Sequence, residues 1–203
     1  KKFLSLMSNI TTVILAAGRS KRFKAKTSKL IYPLCGLPII SHVYSVAKKI
    51  SGKKVVVVCN KENINELKLI LKDCVFVIQN QQRGTADAIE QAKNKINSKH
   101  VLVLFGDTPL ITLSSIKKLI KKFISSKAKA SLIAFRTQKP FGYGRLLIKN
   151  NVFEEIIEEI NLNIYQKKIN LCNSGILIAE KKILFENTKN IKTNRIKKER
   201  YLP

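Results

Sequence analysis

Small residues followed by cations end the first apolar segment of this chain. Leu15-Ala16-Ala17-Gly18 closes that segment, and Arg22 and Lys29 come soon after it. Small side chains let a bound molecule approach the backbone closely, and the two cations suit phosphate groups. The segment therefore favours an anionic ligand. The alternative is a strand that simply runs into a basic loop.

A carboxylate occupies the corresponding position after a later apolar segment, where Phe105-Gly106 is followed by Asp107. Proteins commonly hold Mg²⁺ with one or two carboxylates together with the phosphates of a substrate. Asp107 is therefore the candidate metal ligand. The alternative is that it only caps the turn at Thr108-Pro109.

Between these two segments lie Gln79 and Gly84-Thr85. A glutamine amide carries a donor and an acceptor side by side, which matches the edge of a pyrimidine. Gly-Thr at the start of a helix offers backbone N–H groups to a ligand, although an ordinary helix N-cap has the same composition.

The second half of the chain contributes a tight turn and two isolated polar residues. Gly142-Tyr143-Gly144-Arg145 enters a predicted strand, and Glu158 and Asn173 lie at strand ends in the same region. Alone, such residues are usually surface positions. His42 and His100 lie in apolar runs and are expected to be core residues. No Ser/His/Asp arrangement favours a covalent hydrolase.

Apolar periodicity predicts the elements that position these residues. Strands are expected at 13–17, 54–59, 75–78 and 100–105, and helices at 63–72, 85–96 and 113–124. This alternation predicts a three-layer, doubly wound α/β fold with a mostly parallel sheet. Ligands bind such sheets at the carboxyl ends of the strands, where the candidate residues lie.

Beyond residue 130 the pattern changes to strands without long helices, at 131–136, 145–149, 152–158 and 172–179. The chain of 203 residues is therefore expected to be a single domain. Its first half is expected at about 10–130 and its mixed-strand second half at about 131–203.

The composition narrows the classes of protein further. With 45% hydrophobic residues, 8 Gly and 5 Pro, the chain is not expected to be disordered, and no apolar run is long enough to cross a membrane. The 4 Cys lack metal-ligating spacing and are expected to be reduced, mostly buried thiols of a cytoplasmic protein. The net charge of +26 is spread along the chain, which favours attraction of small anions over dedicated nucleic-acid binding.

Taken together, the candidate segments occur in a characteristic order: Leu15-Ala16-Ala17-Gly18 with Arg22 and Lys29, Gln79, Gly84-Thr85-Ala86, Gly106-Asp107, Gly142-Tyr143-Gly144-Arg145, Glu158 and Asn173-Ser174-Gly175. This order resembles the sugar-nucleotidyltransferase family. The resemblance is closest to the uridylyltransferase half of the bacterial bifunctional enzyme that makes UDP-N-acetylglucosamine. It runs from about Thr12 to Ala179.

The resemblance implies that the half at about 10–130 binds the nucleotide and the half at about 131–203 binds the sugar phosphate. It also implies a role for each matching residue. One set would bind the nucleotide: Leu15, Ala16, Ala17, Gly18, Lys29, Gln79, Gly84 and Thr85. Arg22 and Lys29 would also be catalytic, because they bind the UTP phosphates as pyrophosphate leaves. Asp107 would hold the cofactor Mg²⁺. A further set would bind the sugar phosphate: Phe105, Gly106, Gly144, Glu158 and Asn173.

The implied reaction joins UTP and N-acetylglucosamine 1-phosphate into UDP-N-acetylglucosamine and pyrophosphate, for cell-envelope precursors such as peptidoglycan and lipopolysaccharide. The sugar phosphate attacks the α-phosphorus in line, so no covalent intermediate is needed. Two alternatives stay open. One is a related nucleotidyltransferase for another sugar or alcohol phosphate, and the other is a catalytically weak basic binding protein of this fold.

The resemblance also concerns what lies outside the 203 residues. In the family a second protein ligand for Mg²⁺, an asparagine, lies beyond the position of Pro203, and a hexapeptide-repeat β-helix carries the trimer contacts. We therefore expect a transferase domain truncated at its C-terminus, with small-molecule substrates, no membrane partner and an oligomeric state left open.

Overall fold

One eight-stranded mixed sheet organises the chain. The computed structural model describes residues 9–18, 23, 28–191 and 200, with the backbone alone at 189 and 190. The strands of these residues are β1 (Ile10–Leu15), β2 (Pro33–Leu34), β3 (Leu37–Pro38), β4 (Val55–Cys59), β5 (Val75–Ile78), β6 (His100–Phe105), β7 (Ala130–Arg136), β8 (Arg145–Lys149), β9 (Val152–Ile157) and β10 (Leu171–Glu180). Strands β2 and β3 form a separate small hairpin.

Helices cover both faces of the large sheet. They are α1 (Ile39–Ser51), α2 (Ile64–Ile70), α3 (Thr85–Ala92), α4 (Leu113–Ser125) and α5 (Lys181–Asn190). Short 3-10 turns occupy Lys29–Ile31, Lys93–Lys95, Glu159–Asn161 and Gln166–Lys168.

The order of the strands creates a crevice. The main path is β5-β4-β1-β6-β10-β8-β9, with β7 paired to β10, and β5, β4, β1 and β6 are mutually parallel. Chain progression reverses direction between β1 and β6, which is the switch point where open α/β sheets bind ligands. Leu15 and Phe105 are paired in register there, so the segments after both strands begin side by side.

Alternating side chains of the parallel strands form two cores. Ile14 and Val57 point into a cluster with α1 and α4, whereas Val13 and Val58 point into a cluster with α3 and α5. All residues of β4 are buried, as a central parallel strand requires. The predicted three-layer α/β class, with a mostly parallel sheet, is confirmed.

Two helices of the structure differ from the sequence-based prediction. Helix α1 was not predicted, although Ile40, Val43 and Ala47 form a fully buried face. The expectation that no long helix follows residue 130 is wrong, because α5 packs Leu184 and Phe185 into the core. The other residues of the helix are largely polar, so the two buried apolar residues gave too weak a periodic signal.

Several boundaries also differ from the prediction. Strand β1 runs from Ile10 to Leu15. It begins earlier than predicted because it includes the buried residues Thr11 and Thr12. Their hydroxyls are satisfied by Ser98 at 2.9 Å and Ser51 at 2.6 Å. Ala16 and Ala17 consequently belong to the connection after the strand, where they can meet a ligand. Helix α3 ends at Ala92 rather than at residue 96.

The cysteines are free thiols, as expected. Only Cys59 and Cys172 are buried, whereas Cys74 is partly buried and Cys35 is exposed, so the expectation of mostly buried thiols holds for half of them. Burial raises the pKa of Cys59 to about 11, so this thiol is protonated at neutral pH. Among the described residues no helix is long and apolar enough to cross a membrane.

His100 is a buried core residue, as the sequence predicts. The same prediction holds only in part for His42, which is partly buried and has its Nε2 2.9 Å from the Leu34 carbonyl. The ring of His100 meets Phe123 edge-on at 5.3 Å between centroids, and its Nδ1 atom has no hydrogen-bond partner. Burial lowers the pKa of His100 below its ordinary value of 6.5, and the charge of Lys99 lowers it further. The folded state therefore resists protonation of this ring.

We expect the free energy of unfolding to fall as the pH decreases below 6.5, because the unfolded chain binds a proton on His100 that the folded chain excludes. A single proton gives a slope of at most about 1.4 kcal/mol per pH unit. Urea unfolding between about pH 7.5 and 5.5 measures it. His100→Phe keeps the aromatic contact and should have a shallower slope than the wild type. His42→Phe, which removes the other histidine, is the matched control. Equal slopes in all three chains would contradict the prediction.

Candidate active site

The crevice at the carboxyl ends of β1 and β6 brings together most of the predicted nucleotide residues. The backbone N–H of Gly106 donates to the carbonyl of Leu15 at 2.9 Å, which joins the two strand ends. Ala16 and Ala17, which follow Leu15, are buried, and Gly18 is exposed. Arg22 lies outside the described residues, so its catalytic role stays a prediction.

Three side-chain amides hold the segment after β1. Asn63 Nδ2 donates to the carbonyl of Ala16 at 2.8 Å, and Asn60 Nδ2 and Gln82 Nε2 donate to the carbonyl of Ala17 at 3.0 and 2.8 Å. In a trans peptide the C=O and the following N–H point in opposite directions. The N–H groups of Ala17 and Gly18 are therefore turned away from the three amides.

The two asparagines also hold each other. Asn63 Oδ1 accepts from the Asn60 N–H at 3.0 Å, while Asn60 Oδ1 accepts from the N–H groups of Glu62 and Asn63 at 2.9 Å. Both are more than nine-tenths buried. Sequence reasoning missed Asn60, Asn63 and Gln82. The available signal was the place of Asn60 directly after β4, at the same edge of the sheet.

Gln79 is 4% exposed and directly follows β5. Its backbone N–H donates to the carbonyl of Cys59 at 2.8 Å. Its Nε2 donates to the carbonyl of Gly84 at 3.1 Å and to Asp87 Oδ2 at 2.7 Å. Both hydrogens of the Gln79 amide are therefore bonded within the protein, and Oε1 is the side-chain atom that remains to accept a hydrogen bond. The sequence predicted that this amide offers both a donor and an acceptor, whereas the structure leaves only the acceptor.

Gly84 begins α3 without a capping side chain and has a φ of +99°, which a glycine adopts readily. The backbone of Arg200 fills the space that a Cβ at Gly84 would need. Arg200 N donates to the Arg83 carbonyl at 2.7 Å, and the Ala86 N–H donates to the Arg200 carbonyl at 3.0 Å. Thr85 is the first helical residue rather than the cap.

Lys29 and Asp107 form an ion pair across the crevice, with Nζ and Oδ2 2.9 Å apart and both side chains partly exposed. Their segments are 78 residues apart in sequence. Asp107 does not cap the next helix, because Thr112 Oγ1 accepts from Ser115 N at 3.1 Å. The Phe105 carbonyl accepts from the Thr108 hydroxyl at 2.8 Å. The Asp107 carboxylate thus pairs with Lys29, and the helix cap comes from Thr112, so the role of Asp107 as a metal ligand stays a prediction.

The predicted sugar-phosphate residues Gly144, Glu158 and Asn173 also come together. The Asn173 N–H donates to the Gly144 carbonyl at 2.9 Å. A Cβ on Gly144 would lie 3.2 Å from Glu158 Oε1, so a larger residue would crowd that carboxylate. These contacts join the ends of three neighbouring strands, β8, β9 and β10.

An irregularity in β10 connects this group to the crevice. The pairing with β7 shifts between Asn173 and Leu177, and Asn173 Oδ1 accepts from the N–H of Gly175 at 2.9 Å. Gly175 has a φ of +77°, and the Phe105 ring fills the space that a side chain there would need. Phe105 and Gly106 therefore lie between the nucleotide residues and the sugar-phosphate residues.

Arg145 fixes the turn before β8. It is 2% exposed, its Nη1 lies 2.8 Å from Glu159 Oε2, and its Nε donates to the Ile169 carbonyl at 3.0 Å. Nη1 also contacts the carbonyl of Tyr143. The arginine of the Gly-Tyr-Gly-Arg motif is thus a structural cation that holds Gly144 in place, a role that sequence reasoning did not assign.

The chain is similar in sequence to known proteins over most of its length. The family model for the MobA-like NTP transferase domain matches residues 12–161. The bifunctional protein GlmU of Buchnera aphidicola subsp. Schizaphis graminum is 40% identical over 200 residues, 97% of this chain and 42% of that protein. GlmU of Listeria innocua is 33% identical over 97% of this chain and 44% of its own length. The chain thus spans less than half the length of these curated relatives.

A crystal structure from Bacillus anthracis, described as a glucose-1-phosphate thymidylyltransferase in complex with a sucrose, has the same fold. Its TM-score is 0.75 at 21% identity, over 87% of this chain and 73% of that one. The relatives confirm the resemblance that the motifs indicated. Since the family model covers about three quarters of the 203 residues, the chain belongs to the family of MobA-like NTP transferase domains.

Proposed function

We propose that this domain is a sugar nucleotidyltransferase that joins UTP to N-acetylglucosamine 1-phosphate and releases pyrophosphate. The observation that carries the proposal is the Lys29–Asp107 pair at the switch point of the sheet. It lies next to the amide-held segment after β1 and is linked through Phe105 to the group Gly144, Glu158 and Asn173. The GlmU relatives support the choice of sugar nucleotide.

The nucleotide would be bound mainly by backbone groups. The N–H groups of Ala17 and Gly18 would contact the uridine part, and Gln79 Oε1 would accept a hydrogen bond from the base. Since the two asparagines that hold the loop are buried and Gln82 is partly buried, the site needs little rearrangement when the ligand arrives. Such preorganisation lowers the entropic cost of binding.

Lys29 would neutralise charge on the phosphates as pyrophosphate leaves. An ammonium group is a compact point charge that suits phosphate oxygens. Asp107, its partner in the free domain, keeps the ammonium at the crevice at a separation of 2.9 Å. The pair thus holds the cation where the reacting phosphates would pass.

The residues present fit Mg²⁺. Within the described part of the chain no group of three or more His, Cys, Asp or Glu side chains could hold a metal. Asp107 instead offers a single hard oxygen ligand at a partly exposed position, the donor that Mg²⁺ combines with substrate phosphates. Bound there, Mg²⁺ would neutralise phosphate charge.

The sugar phosphate would enter from the side of β8 to β10. Glu158 would accept hydrogen bonds from sugar hydroxyls, and the Asn173 amide would contact the ring substituents. Asn173 Oδ1 is engaged with Gly175, so its Nδ2 is the atom available for donation. Holding both substrates in line provides the proximity on which phosphoryl transfer depends.

Asp107→Asn should lower the rate of pyrophosphate release by roughly 100-fold or more, because the amide cannot supply an anionic metal ligand. The free energy of unfolding should change by less than about 1 kcal/mol, since the residue is partly exposed. The assay combines UTP, Mg²⁺ and a panel of sugar 1-phosphates.

Asp73→Asn is the matched control, because Asp73 also forms a partly exposed pair with a lysine, Lys48, at 3.5 Å. It should leave turnover unchanged. Unchanged turnover in Asp107→Asn, or an equal loss in both variants, would contradict the role given to Asp107. Release of pyrophosphate from another triphosphate in preference to UTP would contradict the proposed substrate.

Asn63→Asp should weaken UTP binding by about tenfold, because a carboxylate oxygen would replace the donor to the Ala16 carbonyl. The substitution preserves the Oδ1 acceptor and an N-cap residue for α2. Isothermal titration calorimetry with UTP and Mg²⁺ measures the affinity. Asn65→Asp, at an exposed position of the same helix, adds the same charge and should bind UTP as the wild type does. Equal affinities in both variants would remove the amide contact from the binding mechanism.

A further inference from the structure

Asp87 contacts Gln79 from the first turn of α3. Its Oδ2 accepts from Gln79 Nε2 at 2.7 Å, the shorter of the two hydrogen bonds that this amide donates. The other goes to the carbonyl of Gly84 at 3.1 Å. An ionised carboxylate and a carbonyl have no hydrogen to donate, so both partners are pure acceptors.

These two acceptors determine which way the Gln79 amide faces. Turned by 180°, the amide would place Oε1 against the Gly84 carbonyl and the Asp87 carboxylate, three oxygens without a proton between them. Gln79 is 4% exposed, so water cannot relieve that repulsion. The amide therefore keeps Nε2 toward α3, and Oε1 is left for the ligand.

We propose that Asp87 is a positioning residue that makes the site select a pyrimidine with an N–H at ring position 3. This inference rests on the proposed function, in which Gln79 faces the base of the nucleotide. Uracil and thymine carry a donor at that ring position, which Oε1 can accept. Cytosine carries an acceptor there, which would meet Oε1 with two lone pairs opposed and no hydrogen bond.

A purely structural role of Asp87 predicts an effect on stability and none on the choice of base. Asp87 lies in the first turn of α3, where a carboxylate favours the helix through the partial positive charge of its N-terminus. Removing it would then lower stability without changing the choice of base. Glu66 is the acidic residue in the first turn of α2 and is exposed, so it provides a matched comparison.

The experiment measures the dissociation constants of UTP and CTP with Mg²⁺ by calorimetry for the whole 203-residue chain. In Asp87→Ala the ratio of the CTP to the UTP constant should fall about tenfold, because the amide can then turn. Asp87→Asn, which can present its own oxygen to Nε2, should keep most of the ratio. Glu66→Ala should keep all of it.

A double-mutant cycle tests whether Asp87 acts through Gln79. Gln79→Leu should lower the ratio by itself, and adding Asp87→Ala should change it no further. If Asp87→Ala does not fold, Asp87→Ser takes its place, because its side chain is too short to reach Nε2.

The outcomes separate this inference from the proposed function. A wild-type chain that prefers UTP, with an unchanged ratio in Asp87→Ala, overturns the role of Asp87 and leaves the proposed function standing. A further fall in the ratio when Asp87→Ala is added to Gln79→Leu also overturns it. A wild-type chain that binds neither nucleotide, or both equally, overturns the two together.

Discussion

Burial of the central parallel strands β1, β4 and β6 on both faces is the constraint on which the rest of the structure depends. Strand β4 is buried throughout, and β1 admits only polar residues that are satisfied inside it, Thr11 and Thr12. Polar chemistry that must meet a ligand is therefore confined to the ends of the strands. The reversal of strand order between β1 and β6 opens a crevice at one of those ends.

Confinement to a strand end creates a second requirement. The connection after β1 leaves the sheet hydrogen bonding while Ala16 and Ala17 are still buried, so their carbonyls need donors. Asn60, Asn63 and Gln82 supply them. Since the C=O group of each peptide is hydrogen-bonded within the protein, the direction of the N–H group of the same peptide is fixed. Satisfying the buried carbonyls thus also prepares N–H groups for a ligand.

The sequence analysis predicted correctly the strands that consist of short, continuous apolar runs. The strands at 75–78, 100–105 and 145–149 have the predicted bounds, because each is short, apolar and followed by a polar or glycine residue. Helix α1 escaped prediction since its N-cap is Pro38, which provides no side-chain signal. Helix α5 escaped because only one narrow face is apolar.

The sequence predicted which residues belong to the candidate site, but not which groups those residues contact. Lys29, Asp107 and Gln79 were identified from their places after strands, yet Lys29 and Asp107 bind each other across 78 residues of sequence. The asparagine contacts span 43 and 47 residues and end on backbone carbonyls, which carry no residue identity. Only the register of β1 with β4 and β6 brings these groups together.

The net charge of the chain and the local charges in the crevice act on an anionic ligand in opposite directions. A net charge of +26 draws anions toward the surface, but the Asp107 side chain in the crevice opposes a polyphosphate locally. Lys29 offsets that repulsion at 2.9 Å, and Asp87 accepts a hydrogen bond from the Gln79 amide at 2.7 Å. Both carboxylates thus have a donor in place in the free domain. Under the proposed function Asp107 directs a cation, and Asp87 directs the base through Gln79.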